Sequence, residues 1–228
     1  VKNVTKSREQ KTPPNIPLDT IRRMTAYLRT LNRLGADGIA TVSSEELARP
    51  LNVSPAQLRK DLSYFGRFGT TGVGYRVADL AASIKSILGT DRVWNVAVIG
   101  VGKLGTALLD YPGFLDFNLR LSAAFDNNPA RIGKVINGVP VRDVAQFPAA
   151  AAAERISVVI LAVNSSSAQA VADMAAACGI KAILNFAPAN ICMAPHIYLS
   201  NIDVSCELET LVCRLKHCGE PESEDNAS

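Results

Sequence analysis

The run Gly100-Val101-Gly102-Lys103-Leu104-Gly105 constrains this chain more than any other feature. It follows directly on Val96-Ala97-Val98-Ile99, an apolar run of buried-strand character, and leads into a helical stretch with Ala107, Leu108 and Leu109. Between a strand and a helix, each glycine has its own reason to be there. Gly100 permits a tight turn off the strand. Gly102 removes a side chain where a phosphate group has to approach the backbone. Gly105 lets the helix lie close to the sheet. The helix N-terminus then offers unpaired N–H groups and a positive dipole end to the phosphates.

A second strand, Leu119 to Phe125, ends in Asp126, 21 positions beyond Gly105. An acid at that distance binds the ribose 2′-hydroxyl. It also repels a 2′-phosphate, so the expected ligand is NAD(H) rather than NADP(H). Apolar runs at 93–99, 119–125, 156–163 and 180–184 alternate with helical stretches at 103–110 and 166–178. Strands alternating with helices predict a parallel sheet covered on both faces, a Rossmann-type domain.

The chemistry of a dehydrogenase is not evident beside this site. Hydride transfer needs a proton-transferring group near the nicotinamide and a substrate clamp. The two histidines, His196 and His217, have no acid or arginine clamp paired with them in sequence. No tyrosine–lysine pair stands at short-chain-reductase spacing. Metal ligation is not expected either. Cys178, Cys192, Cys206, Cys213 and Cys218 form no C-x-x-C pair and lack zinc-ligand spacing to histidine. Cys206 and Cys213 lie seven apart on one helix face, which leaves thiol redox sensing as a second reading of the cysteines. A binding site without evident catalysis favours a sensor over an enzyme.

Charge divides the chain. Residues 1–90 carry 14 Lys+Arg against 7 Asp+Glu, and residues 91–228 carry 10 against 14. A basic part beside an acidic one points to a polyanionic partner for the first. Leu18, Ile21, Met24, Leu28 and Leu31 predict a helix over 17–35 with a stop at Gly35. Ser43-Ser44-Glu45-Glu46 reads as a capping box that opens a short helix ending before Pro50. Ser54-Pro55-Ala56-Gln57 repeats the logic, with Gln57 closing the box. Two short helices joined by a tight turn predict a helix-turn-helix. The glycine-rich stretch 66–77 predicts a hairpin, the wing, and 78–88 a further helix ended by Gly89.

On a helix from Ser54 to Phe65, Leu58, Leu62 and Phe65 share the inward face. Ala56, Lys60 and Ser63 point outward, flanked by Gln57 and Arg59. In such folds the N-terminal half of the second helix enters the major groove. Lysine or arginine suits guanine, and glutamine suits adenine. Asp61 is placed off the contact face or paired with a neighbouring base.

Ser54 through Tyr75, SPAQLRKDLSYFGRFGTTGVGY, resembles the recognition helix and wing of the redox-sensing transcriptional repressor (Rex) family. The resemblance continues through Gly100–Gly105, Asp110-Tyr111-Pro112-Gly113, Phe125-Asp126, Asn185-Phe186-Ala187-Pro188 and Val204 to Leu211, about residues 16–217 in all. It implies a homodimer that binds palindromic operator DNA and leaves it when NADH accumulates. Cofactor contacts are then expected at Gly100, Val101, Gly102, Lys103, Leu104, Gly105, Tyr111, Asp126, Val163, Asn185 and Phe186. DNA contacts are expected at Ser54, Gln57, Arg59, Lys60, Ser63, Arg67 and Gly72. The resemblance also assigns redox coupling to Arg29, Tyr111 and Asp203, and exchange between subunits to the last helix. One departure is Thr70-Thr71, where family wings often carry a basic residue.

The expected organisation is a disordered tail at 1–16, a winged-helix DNA-binding domain at 17–90 and a Rossmann NAD(H)-binding domain at 91–204. A dimerisation helix at 205–218 and an acidic tail at 219–228 complete it. No apolar run reaches the roughly 18 residues of a membrane span, and no secretory segment is evident, so the expected location is cytoplasmic. Two other readings stay open: an NAD-dependent oxidoreductase with an accessory N-terminal domain, and an interaction protein with a vestigial nucleotide fold.

Overall fold

The computed structural model describes residues 16–69 and 72–218. Thr70 and Thr71, and the tails assigned to 1–16 and 219–228 apart from Ile16, lie outside the described residues. The chain divides into two compact units, Val1–Arg92 and Val93–Ser228.

The N-terminal unit opens with α1 (Leu18–Ala36). Its buried stripe is Thr20, Met24, Tyr27, Leu28 and Leu31, with Thr30 beside it; Leu18 and Ile21, expected on the stripe, are exposed. Polar Thr20 and Tyr27 take inward places because the carboxylate of Asp61 is buried there, in hydrogen-bond reach of both. The helix runs past Gly35 and closes on Gly38 (φ +75°), whose N–H donates to the Gly35 carbonyl. A left-handed residue is needed there, and glycine adopts it without a Cβ clash.

Strand β1 (Thr41–Val42) leads into α2 (Ser44–Ala48). The capping box is complete: Ser43 Oγ accepts the Glu46 N–H, and Glu46 accepts the Ser43 N–H at 2.8 Å. A 3-10 turn, Arg49–Leu51, absorbs Pro50. Helix α3 (Pro55–Ser63) starts on the Ser54 cap and ends two residues before Phe65, which is left half-buried. Gln57 does not close this second box; its amide turns to Asp61 instead. Among the described residues of 66–77, the one strand pairs outside the stretch rather than within it. Strand β2 (Tyr75–Arg76) pairs antiparallel with β1, through Thr41↔Arg76 and Val42↔Tyr75. Gly66, Gly69, Gly72 and Gly74 all have positive φ and bring no side chains to cross-strand pairs. Helix α4 (Val77–Leu88) closes the unit and ends on Gly89.

The C-terminal unit comprises β3 (Trp94–Ile99), α5 (Lys103–Leu109), β4 (Leu119–Asp126), β5 (Val135–Ile136), β6 (Val139–Asp143) and α6 (Phe147–Ala153). It continues with β7 (Ile156–Leu161), α7 (Ser165–Ala177), β8 (Ala182–Asn185), β9 (Tyr198–Asn201) and α8 (Val204–Cys218). The sheet order is β5-β6-β4-β3-β7-β8-β9, parallel except for the β5–β6 pair. Without the short β5, this is the doubly wound order in which the chain reverses direction across the sheet between the first and fourth strands. Ile99, Phe125, Phe147, Val159 and Leu161 form the core on one face, with Ala168, Ala172 and Ala175 of α7 packed on it. Val96, Val98, Ala124 and Ile160 pack on the other face with Leu109 of α5.

Candidate functional site

Ligands of doubly wound sheets bind where the strand order reverses, beyond the carboxyl ends of the strands. Here those ends are Ile99-Gly100 after β3 and Ala162-Val163-Asn164 after β7. Together with Gly102, Asp126, Asn127 and Arg131 they line a cleft of about 240 Å³. Gly100 has φ +94°, and a Cβ on it would lie 2.5 Å from the Ala162 carbonyl oxygen. A Cβ on Gly105 would run into the Gly100 carbonyl. Both glycines are thus demanded by the protein's own packing. Gly102 is different: the nearest atom to a Cβ there is Arg131 Nη1 at 4.0 Å. Folding leaves space at Gly102, which suits close approach by an external group.

Asp126 is 3% exposed. Its Oδ2 accepts the Val101 N–H at 2.7 Å and Arg131 Nη1 at 3.0 Å, and its Oδ1 accepts the Asn128 N–H at 2.8 Å. Burial alone would push this carboxyl up, but the two backbone N–H groups and the Arg131 guanidinium hold it below the ordinary aspartate range. Asp126 thus fastens the glycine loop to β4, a role that spacing alone does not show, with Arg131 beside its charge. The Val101 side chain is buried, and its N–H donates to Asp126.

The remaining expected cofactor residues are dispersed. Val163 lines the cleft. Lys103 lies on the outer side of the loop with Thr106, Arg131 and Lys134, and Leu104 is exposed on α5. Asn185 is 1% exposed and does not line the cleft. Its Oδ1 accepts the Ala187 N–H, and its Nδ2 donates to the Ala187 carbonyl and to Asn201 Oδ1 at 3.0 Å. Its side chain therefore shapes the Asn185–Pro188 loop and ties it to β9. Phe186 packs against the core on the α5 face. Tyr111 is 57% exposed, in edge contact with Phe114 and lying over Gly113.

On the N-terminal unit, Arg59, Ser63, Arg67 and Gly72 line one groove between α3 and the glycine-rich loop. Lys60 and Ser54 are exposed on α3 outside its lining, and Gln57 is half-buried. Arg59 donates to Ser44 Oγ at 2.8 Å, which holds its guanidinium beside the start of α2. Beneath this face Leu58 and Leu62 are buried, each contributing about 1.5–3 kcal/mol. Asp61 is buried with them and paired to Arg23 at 2.6 Å. Burial raises its pKa, but hydrogen bonds from Arg23, Tyr27 and Gln57 outweigh that and lower it. Sequence reasoning does not single out Arg23; the buried aspartate at a helix position three from a core leucine and next to another is the available signal.

Of the residues expected to couple cofactor to DNA, Arg29 lies on α1, and Tyr111 and Asp203 lie in the C-terminal unit. Asp203 Oδ1 accepts the Ser205 and Cys206 N–H groups at 2.9 and 3.2 Å and so caps α8. No group of His, Cys, Asp or Glu among the described residues is placed to hold a metal ion. No helix among them is long and apolar enough to cross a membrane.

The family profile described as "CoA binding domain" matches residues 91–189, and "Putative DNA-binding protein N-terminus" matches 15–63. The chain is 44% identical to the redox-sensing transcriptional repressor Rex of Desulfitobacterium hafniense, over 86% of this chain and 93% of that protein. It is equally identical, with the same coverage of both chains, to the Rex of Syntrophomonas wolfei. The chain belongs to the Rex family of redox-sensing transcriptional repressors. A solved Rex-family repressor, RSP in complex with NAD⁺ and operator DNA, is 36% identical with a TM-score of 0.84 over 88% of this chain and 93% of that one. RSP with NADH gives 34% and 0.79, over 89% and 95%.

Proposed function

We propose that this Rex-family chain is a homodimeric repressor, not an enzyme, that holds palindromic operator DNA and releases it when NADH occupies the cleft between β3 and β7. The observation that carries the reading is Gly102. The fold has room for a side chain there, and the groups around it are those a dinucleotide pyrophosphate meets at a sheet switch point. The complexes of RSP with NAD⁺, NADH and operator DNA support the same ligands here.

The two cofactor forms differ by one positive charge on the nicotinamide ring. A ligand shifts an equilibrium only by its differential affinity for the two states. Gly100–Gly105 and Asp126 face the parts common to both forms, so discrimination belongs to groups at the nicotinamide end. Asp203 suits such a role because its two oxygens are differently engaged. Oδ1 holds the α8 cap, while Oδ2 carries no hydrogen bond among the described residues and is open to a further donor; the family resemblance assigns Tyr111 and Arg29 to the same coupling. The dimer reading rests on α8, whose Leu208, Leu211, Val212 and Leu215 are 54–66% exposed in the single chain. A stripe of that size stays in water only at a cost of several kcal/mol. A cytoplasmic location fits a DNA-bound regulator.

Thermodynamic linkage provides the test. If NADH weakens operator binding by some factor, operator weakens NADH binding by the same factor. Isothermal titration of NADH into free protein and into the operator complex measures it. Equal NADH affinities in both titrations would contradict the proposal.

A further inference from the structure

Asp61 is fully buried, yet it sits on α3, the helix whose outer face is read above as the DNA contact. Three side chains of α1 converge on it. Arg23 donates from Nε to Oδ2 at 2.6 Å and from Nη2 to Oδ1 at 2.8 Å. Tyr27 Oη donates to Oδ2 at 2.8 Å, and Thr20 Oγ1 to Oδ1 at 3.3 Å. The remaining donor comes from α3 itself, one turn upstream: Gln57 Nε2 reaches Oδ1 at 2.8 Å.

That contact has a consequence for Gln57. A glutamine amide presents one acceptor and two donors, and on an open surface it turns over between two senses. An ionised carboxylate only accepts. Reversing the amide would set Oε1 against Asp61 Oδ1, two acceptors at hydrogen-bond distance in a buried place. The NH₂ group must therefore face Asp61. Oε1 and the second N–H are left for a partner, in a fixed order, on the N-terminal half of α3.

We propose that Asp61 is a positioning residue for operator reading: it fixes the sense of the Gln57 amide, so that α3 selects adenine at one base pair and on one strand. The inference rests on the operator-binding reading above. Adenine offers N7 as acceptor and N6–H₂ as donor, which match one N–H and Oε1. Guanine offers two acceptors at the same edge, one of which would oppose Oε1. Arg23 and Tyr27 keep the carboxylate in place from the opposite side, so the lock belongs to the folded unit and does not wait for DNA.

The experiment selects duplexes from a random-sequence pool with the full-length wild-type chain. It then measures binding of wild type, Gln57→Met and Asp61→Asn to the selected duplex and to each single base-pair replacement in its half-site. Wild type is expected to discriminate about tenfold or more for adenine at one position. Gln57→Met reduces that preference to less than about threefold, and Asp61→Asn reduces or changes it at the same position alone. An Asp61→Asn protein that weakens on all duplexes equally, with the adenine preference intact, overturns the proposal. If that variant does not fold, the Gln57 side-chain NH₂ resonances of the wild type decide: one slowly exchanging proton supports the lock, and a freely exchanging pair overturns it. A wild-type protein that enriches no sequence overturns the operator reading itself, while the same resonances still report on the lock.

Discussion

The Val101 N–H donates to Asp126 Oδ2 at 2.7 Å, joining the glycine loop after β3 to the last residue of β4. The acid that spacing alone assigns to a ribose is also the clasp of the loop that would hold the pyrophosphate. Substituting Asp126→Ala leaves the buried Val101 N–H without a partner. The expected cost is about 1–3 kcal/mol in the C-terminal unit, with NADH affinity reduced at the same time. Thermal unfolding and NADH fluorescence measure the two effects. Operator binding by the cofactor-free variant should be unchanged, because Asp126 belongs to the other unit.

The three glycines separate by experiment. Gly100→Ala forces a Cβ to 2.5 Å from the Ala162 carbonyl at φ +94°, so the C-terminal unit should lose about 1–3 kcal/mol or more. Gly102→Ala meets nothing closer than 4.0 Å and should melt like wild type. Its NADH affinity should nevertheless fall by about tenfold or more, since the methyl group occupies the approach to the backbone. A Gly102→Ala protein with unaltered NADH affinity would remove the cofactor from that face of the loop.

The apolar stripe of α8 gives a prediction on assembly. Leu211→Lys combined with Leu215→Lys places two charges on a stripe exposed in the single chain. Sedimentation should show loss of the dimer, and affinity for a two-half-site operator should drop with it. Melting of the N-terminal unit should not change.

Acid should weaken both units. Asp61 and Asp126 are held below the ordinary aspartate pKa despite burial, the first by Arg23, Tyr27 and Gln57, the second by Asn128, Val101 and Arg131. A carboxyl with a lowered folded pKa stabilises fully above its unfolded value of about 3.9, and the contribution fades as pH falls below that. Denaturation curves between pH 7 and pH 3 should therefore show stability falling at the acid end. Asp126→Ala should flatten that fall for the C-terminal unit.

Much of the fold and the site is legible in the sequence, and the reasons differ by element. The β3–loop–α5 unit declares itself because each glycine answers a separate steric demand. The cap at Ser43 and the outward set Ala56, Lys60 and Ser63 follow from local hydrogen bonding and helical period. What stays hidden depends on partners distant in sequence. Strand β2 pairs with Thr41-Val42 across 33 residues, so the wing cannot be read from 66–77 alone. The inward turn of Thr20 and Tyr27 is dictated by Asp61, about 40 residues away. Strands β5, β6 and β9 are short or partly polar and carry little periodic signal. The resemblance marks Asn185 as a ligand contact, but its part in holding its own loop depends on Asn201, 16 residues away, and carries no local signal.

If the redox state of the nicotinamide decides the grip on DNA, the two cofactor forms must act differently on the same complex. The most direct test is a titration of the preformed operator complex with NADH and, separately, with NAD⁺, followed by mobility shift or fluorescence anisotropy. NADH is predicted to release the duplex, and NAD⁺ is predicted not to. Equal effects of the two forms on DNA affinity would contradict redox sensing by this chain.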